Sequence, residues 1–86
     1  TTTTALQSLT LLNNDFMLKQ ADRMAERVVS DVGSAVDQQV ARAFQLAFAR
    51  QPDAEEQVAA ERIVRRHGLA ACCRFLLNAN EFVHID

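Results

Sequence analysis

Two cysteines stand side by side at Cys72 and Cys73, and the chain carries two histidines, His67 and His84. These are the residue types that bind zinc or do thiol redox work. Their spacing argues against both. Neighbouring residues on a helix point about 100° apart, so the two thiols cannot close an unstrained disulfide within one helix. A CxxC pair and the two-to-four ligand spacing of zinc sites are missing. The cysteines therefore read as small apolar fillers, with a redox or metal role through the adjacent thiols as the weaker reading. His67 reads as a cation at a helix C-terminus, and His84 as a surface residue near the end of the chain.

Acid–base chemistry would call on Glu55-Glu56 or Glu81. The first pair directly follows Asp53, and Asp-x-x-Glu is a capping-box variant that sets negative charge on the positive end of a helix. Capping accounts for it without catalysis. No Gly-x-Ser-x-Gly elbow supplies a nucleophile, and two glycines are too few for a phosphate-cradling loop. Asn78, Asn80 and Glu81 make the most concentrated polar group. They read as a capped turn whose side chains satisfy the backbone ends of neighbouring helices, the Arg50–Pro52 turn included. Arg50 would then pair with Glu81 or bond helix-end carbonyls. The functional alternative is a polar docking site for a ligand or a sister domain. No catalytic set, cofactor site or metal site emerges.

Helices must position these groups. Leu6, Leu9 and Leu12 predict a short helix over 5–12, capped by Thr3 or Thr4 and stopped by Asn13-Asn14-Asp15. Asp15, or else Asn14, caps the next, over 16–32, where Met17, Ala21, Met24, Ala25, Val28, Val29 and Val32 share one side. Gly33 sits where a C-cap glycine belongs. A third helix, from 35 or 36 to 50, buries Val36, Val40, Ala43, Phe44, Ala47 and Phe48. Its C-terminal half is apolar over most of its circumference, which predicts several neighbours at once. Gln51-Pro52 ends it, because a residue before proline is pushed out of the helical region.

Asp53 caps a fourth helix over 54–66, with Glu56 at its third position and a favourable Glu61–Arg65 pair. Arg65-Arg66-His67-Gly68 closes it with cationic residues and a glycine for a left-handed turn. A fifth helix, over 69–77, buries Leu69, Cys72, Cys73, Phe75 and Leu76. Asn78-Ala79-Asn80 is expected to break it into a tail over 81–86, anchored by Phe82 and Ile85.

The whole composition agrees with helices. Of 86 residues, 49% are hydrophobic, with five Phe, no Trp, no Tyr and two Gly; aromatic and turn residues are too scarce for sheets. Nine basic and eleven acidic residues give a net charge of -2 and leave no positive stripe, so nucleic acid is an unexpected partner. No apolar run reaches membrane-spanning length, and no signal peptide is visible. The start, Thr-Thr-Thr-Thr without Met, is read as a cut from a longer protein.

Three segments in order, ALQSLTLLNNDFML, FQLAFARQPDAEE and FLLNANEFVHID, resemble the C-terminal domain of a planctomycete-type family of unknown function. The resemblance rests on Leu11–Asn14, on Arg50, Pro52 and Glu56, and on Asn78, Asn80, Glu81 and Phe82. Ala49 departs from the family pattern, where glycine is common before the arginine, and Ala5 stands where proline often follows the threonines. The family is typical of large exported proteins with cytochrome-like domains. The resemblance implies an exported or cell-surface multidomain parent, with any haem outside this fragment, and supplies no catalytic residue. A looser similarity links the chain to small helical repeats of exported proteins and to phycobilisome linkers, which act by docking.

The expectation is one compact all-α bundle of four to five short helices over 1–86, mostly antiparallel, with the tail packed back on it. Its expected role is non-catalytic interaction or scaffolding, with Arg50, Pro52, Asp53, Glu56, Asn78, Asn80, Glu81 and Phe82 as structural or docking residues. Partners would be other domains of the parent chain, or a protein or glycan ligand. The rival role is a wall of an enzyme site completed by upstream domains.

Overall fold

Apolar side chains recurring every three to four residues shape four helices, seen in a computed structural model that describes residues 15–85 and the side chains of residues 15–79. They are α1 (Asp15–Val32), α2 (Val36–Phe48), α3 (Ala54–His67) and α4 (Leu69–Ile85). The fold is all-α, with no strand among the described residues. The helix expected over 5–12, its caps at Thr3 or Thr4, and Asn13 and Asn14 lie outside the described residues.

α2 and α4 are the central pair, each packed against the other three helices. Their apolar content explains this. Val40, Ala43 and Phe44 of α2 meet Cys72, Cys73 and Leu76 of α4 in one buried cluster, joined by Ala21 and Val28 of α1 and Ala60 of α3. Val28, Val40, Cys72 and Cys73 are wholly buried. The cysteines thus occupy the middle of the core, where a small apolar side chain fits between closely packed helices.

Short connections hold the helices in place. Gly33, at φ 85°, ends α1 in a conformation that L side chains resist, and its N–H donates to the Val29 carbonyl at 2.8 Å. Gln39, the one buried polar side chain among the described residues, donates Nε2 to the Gly33 carbonyl at 2.8 Å. That bond satisfies a helix-end acceptor and locks the α1–α2 turn. Arg42 reaches Asp31 at 2.9 Å and ties the same two helices together. Gly68 alone separates α3 from α4. At φ 96° and ψ 163° it takes an extended, positive-φ form rather than the expected left-handed turn, because the chain enters the next helix at once.

Three expectations need correction. Asn78-Ala79-Asn80 does not break the last helix, since α4 runs through to Ile85. Two asparagines cost a helix only a few tenths of a kcal/mol each, roughly, less than the packing of this central helix returns. The tail expected over 81–86 is therefore helical through Ile85, and the side chains of Phe82 and Ile85 lie outside the described residues. Val29 is 49% exposed and Phe75 58% exposed, against the buried faces that periodicity predicts for them. Each sits about 100° around its helix from a core residue, Val28 or Leu76, and the core is too narrow to reach them.

Candidate functional site

The turn between α2 and α3 brings together Arg50, Pro52, Asp53 and Glu56 of the residues singled out from the sequence. α2 ends at Phe48, two residues earlier than expected. Ala49 takes the left-handed conformation (φ 58°, ψ 33°), its N–H donating to the Gln45 carbonyl. Released from the helix, the Arg50 side chain turns back over the Phe44 and Phe48 rings, 5.6 and 5.5 Å from their centroids. The rings themselves are 5.5 Å apart and tilted by 53°, a favourable aromatic pair with a cation above it.

Arg50 grips Glu56 with both prongs, Nη1 to Oε1 and Nη2 to Oε2, each 2.8 Å. Nη1 also donates to the Gln51 carbonyl at 3.0 Å. Its fork thus bonds within the turn; the Glu81 side chain, the partner first considered for it, lies outside the described residues. The capping box is complete: the Glu56 N–H donates to Asp53 Oδ1 at 2.8 Å, and the Asp53 N–H donates to Glu56 Oε1 at 2.9 Å. Glu56 therefore serves the arginine and the helix end together. The arginine hydrogen bonds, and then that from the Asp53 backbone, hold the Glu56 carboxyl down to about 2, and the Arg50 guanidinium is raised by the same pair.

Beside this turn a groove of about 1050 Å³ opens between α2, α3 and α4. Phe44, Ala60 and Leu76 form its floor, Phe48, Ile63, Phe75 and Ala79 its sides, and Arg50, Glu55 and Glu56 its polar rim. No described side chain fills it. Phe75, half out of the protein, gives the groove its largest exposed ring.

Two further sequence candidates, Pro52 and Asn78, are not part of the groove lining. Pro52 is half-buried in the turn. Asn78 faces a separate hollow of about 480 Å³ with His67 and Arg74, and its Oδ1 is buried without a hydrogen-bond partner among the described residues. That oxygen accepts nothing from the Arg50–Pro52 turn, and the hollow it faces lies toward the His67 end of α3. Asn80, Glu81 and Phe82 lie on α4, with side chains outside the described residues, as is that of His84.

Burial pushes the Cys72 thiol up to about 11 and the Cys73 thiol up to about 12, the second also through its neighbour. Both stay protonated near neutral pH, the wrong form for a nucleophile or a metal ligand. Among the described residues no group of three His, Cys, Asp or Glu could hold a metal ion, and no helix is long and apolar enough to cross a membrane.

Residues 1–64 match the family model described as PSD1, a protein of unknown function (DUF1553). The chain belongs to this family. The DUF1553 match includes the whole Arg50–Glu56 turn and stops before α4, so the FLLNANEFVHID segment lies beyond it. No curated protein and no solved structure matches the chain.

Sequence reasoning missed two contributors. Gln39 sits beside the buried Val40 with nothing in its neighbours to mark it as structural. The Arg50–Glu56 pair was hidden because Arg50 had been placed inside the helix; a glycine at 49 would have signalled the earlier stop.

Proposed function

We propose that this DUF1553 chain is a non-catalytic helical interaction module, whose groove receives an apolar segment from another domain of its own parent protein. The observation that carries this reading is the groove itself, apolar along its floor and sides, with Phe75 58% exposed within it. A contiguous apolar hollow rimmed by polar groups is the surface a partner covers. The rim supports docking over catalysis. A general acid or base would need its carboxyl near working pH, whereas Glu56 is held at about 2 by bonds it makes within the turn. Glu56 is thereby spoken for by the turn, and the thiol reading is weakened by the burial of both cysteines. By family resemblance the parent is an exported, planctomycete-type multidomain protein with cytochrome-like domains.

The test compares Phe75→Glu in the parent protein with the same change in this chain alone. Phe75 is exposed, so the isolated chain should melt as before. In the parent, the substitution should loosen the domain and speed limited proteolysis around it. Proteolysis unchanged in the parent would remove the groove from any interdomain contact.

A further inference from the structure

We infer that α3 carries a self-complementary face through which two copies of this chain pair antiparallel. The proposal concerns the side of α3 that points away from the core, and it stands independently of the groove reading, which it meets only along Glu55 and Ala59.

Ala60 is the buried residue of α3. Glu55, Val58 and Arg62 lie about 140–160° round the helix from it, with Ala59 and Arg66 on the flank at about 100–120°, and all five are exposed. Val58, 60% exposed, is the large apolar residue of this strip. Charge along the helix is polarised, with Glu55 and Glu56 in the first turn and Arg65, Arg66 and His67 in the last. Several of these charges are already used. Glu56 holds Arg50, and Glu61 holds Arg65 at 3.1 Å. Glu55, Arg62 and Arg66 make no ion pair with any described residue.

Glu55 and Arg62 are seven residues apart, about 10 Å along the axis, and cannot satisfy each other within one chain. Two α3 helices laid antiparallel about a two-fold axis between Val58 and Ala59 remove that difficulty. Glu55 then lies opposite Arg62 of the second copy, and Arg62 opposite the second copy's Glu55. Val58 packs over the small Ala59 across the axis, so the apolar strip is covered at its centre. The helix dipoles oppose, which favours the same orientation. A parallel arrangement sets like charges face to face. Because each contact occurs twice, one strip of residues serves as both halves of the interface. The helix is only fourteen residues long, too little area for a tight dimer, so the pair forms reversibly.

Sedimentation equilibrium on the 86-residue chain tests this. The expected result is a monomer–dimer equilibrium that weakens with added salt. Glu55→Arg and Arg62→Glu, each setting like charges opposite at both ends, should weaken pairing by at least about tenfold. Combining them reverses the whole pattern and should restore it. Melting curves confirm that each variant is folded before it is compared. A chain that stays monomeric at every concentration overturns the proposal. So do single variants that pair as well as the parent sequence, or a double variant that fails to recover.

Discussion

Arg50 and Glu56 meet end to end across the α2–α3 turn, two parallel N–H···O bonds of 2.8 Å joining the guanidinium to the carboxylate. The pair fixes how the chain leaves one helix and enters the next. It does so from the surface, with Arg50 half exposed, so its value lies more in geometry than in strength.

The pair has a pH signature. Folding lowers the Glu56 carboxyl from its ordinary 4.5 to about 2, so the folded state favours the ionised form. Its stabilisation is complete above about 4.5 and is lost as pH falls through that value towards 2. Thermal melts of the parent sequence and of Glu56→Gln, taken between pH 7 and pH 2, should converge in acid. Parallel curves would mean that Glu56 is not linked to folding.

Ala49 and Gly68 should respond in opposite directions. A left-handed alanine costs on the order of 1 kcal/mol, so Ala49→Gly is expected to stabilise by roughly 0.5 kcal/mol once the added freedom of the unfolded chain is offset. Gly68→Ala adds a Cβ that meets nothing within 4 Å, yet forces a backbone form reserved for glycine, at a cost of about 1–3 kcal/mol. Urea denaturation of both variants measures the signs. A destabilised Ala49→Gly would refute the backbone argument.

The three phenylalanines around the groove form a graded series. Phe44 is 4% exposed, and Phe44→Ala should cost about 3–4 kcal/mol, enough to unfold a chain of this size. Phe48 is half-buried and should cost roughly half as much. Phe75→Ala should fall within about 0.5 kcal/mol of the parent sequence. Circular dichroism melts give the order directly, and Phe75 ranking above Phe48 would show that the groove is filled.

The thiols offer a clean readout of core integrity. Cys72 and Cys73 are wholly buried and raised to about 11 and 12. A thiol reagent at pH 8 should label them only as fast as the protein opens, and rapidly in denaturant. Fast labelling of the native chain would reveal a core far looser than the packing implies.

The helices after Asp15 were legible because their apolar periods are long and their stops are chemically marked. Gly33, Pro52 and Gly68 each punctuate the chain where a helix ends, and Asp53 with Glu56 announced the capping box. Legibility failed where a local preference was weak against packing. Asn78 and Asn80 argue for a break only by small propensities, which the central position of α4 overrides. In LAACCRFLL nearly every residue is apolar, so the inward cysteines could be read but periodicity could not show that Phe75 turns out. Arg50 was misplaced for a different reason: an alanine in a left-handed turn leaves no trace in the sequence.

The central position of α4 bears on where a self-sufficient unit ends. The family match closes at residue 64, before Cys72, Cys73 and Leu76 have joined the core. A polypeptide truncated there would keep the Arg50–Glu56 turn and lose the helix that touches all its neighbours. Val40 and Val28, wholly buried in the intact chain, would face water. Autonomous folding therefore requires residues past the family boundary, and any excision that respects only that boundary should yield an aggregating remnant.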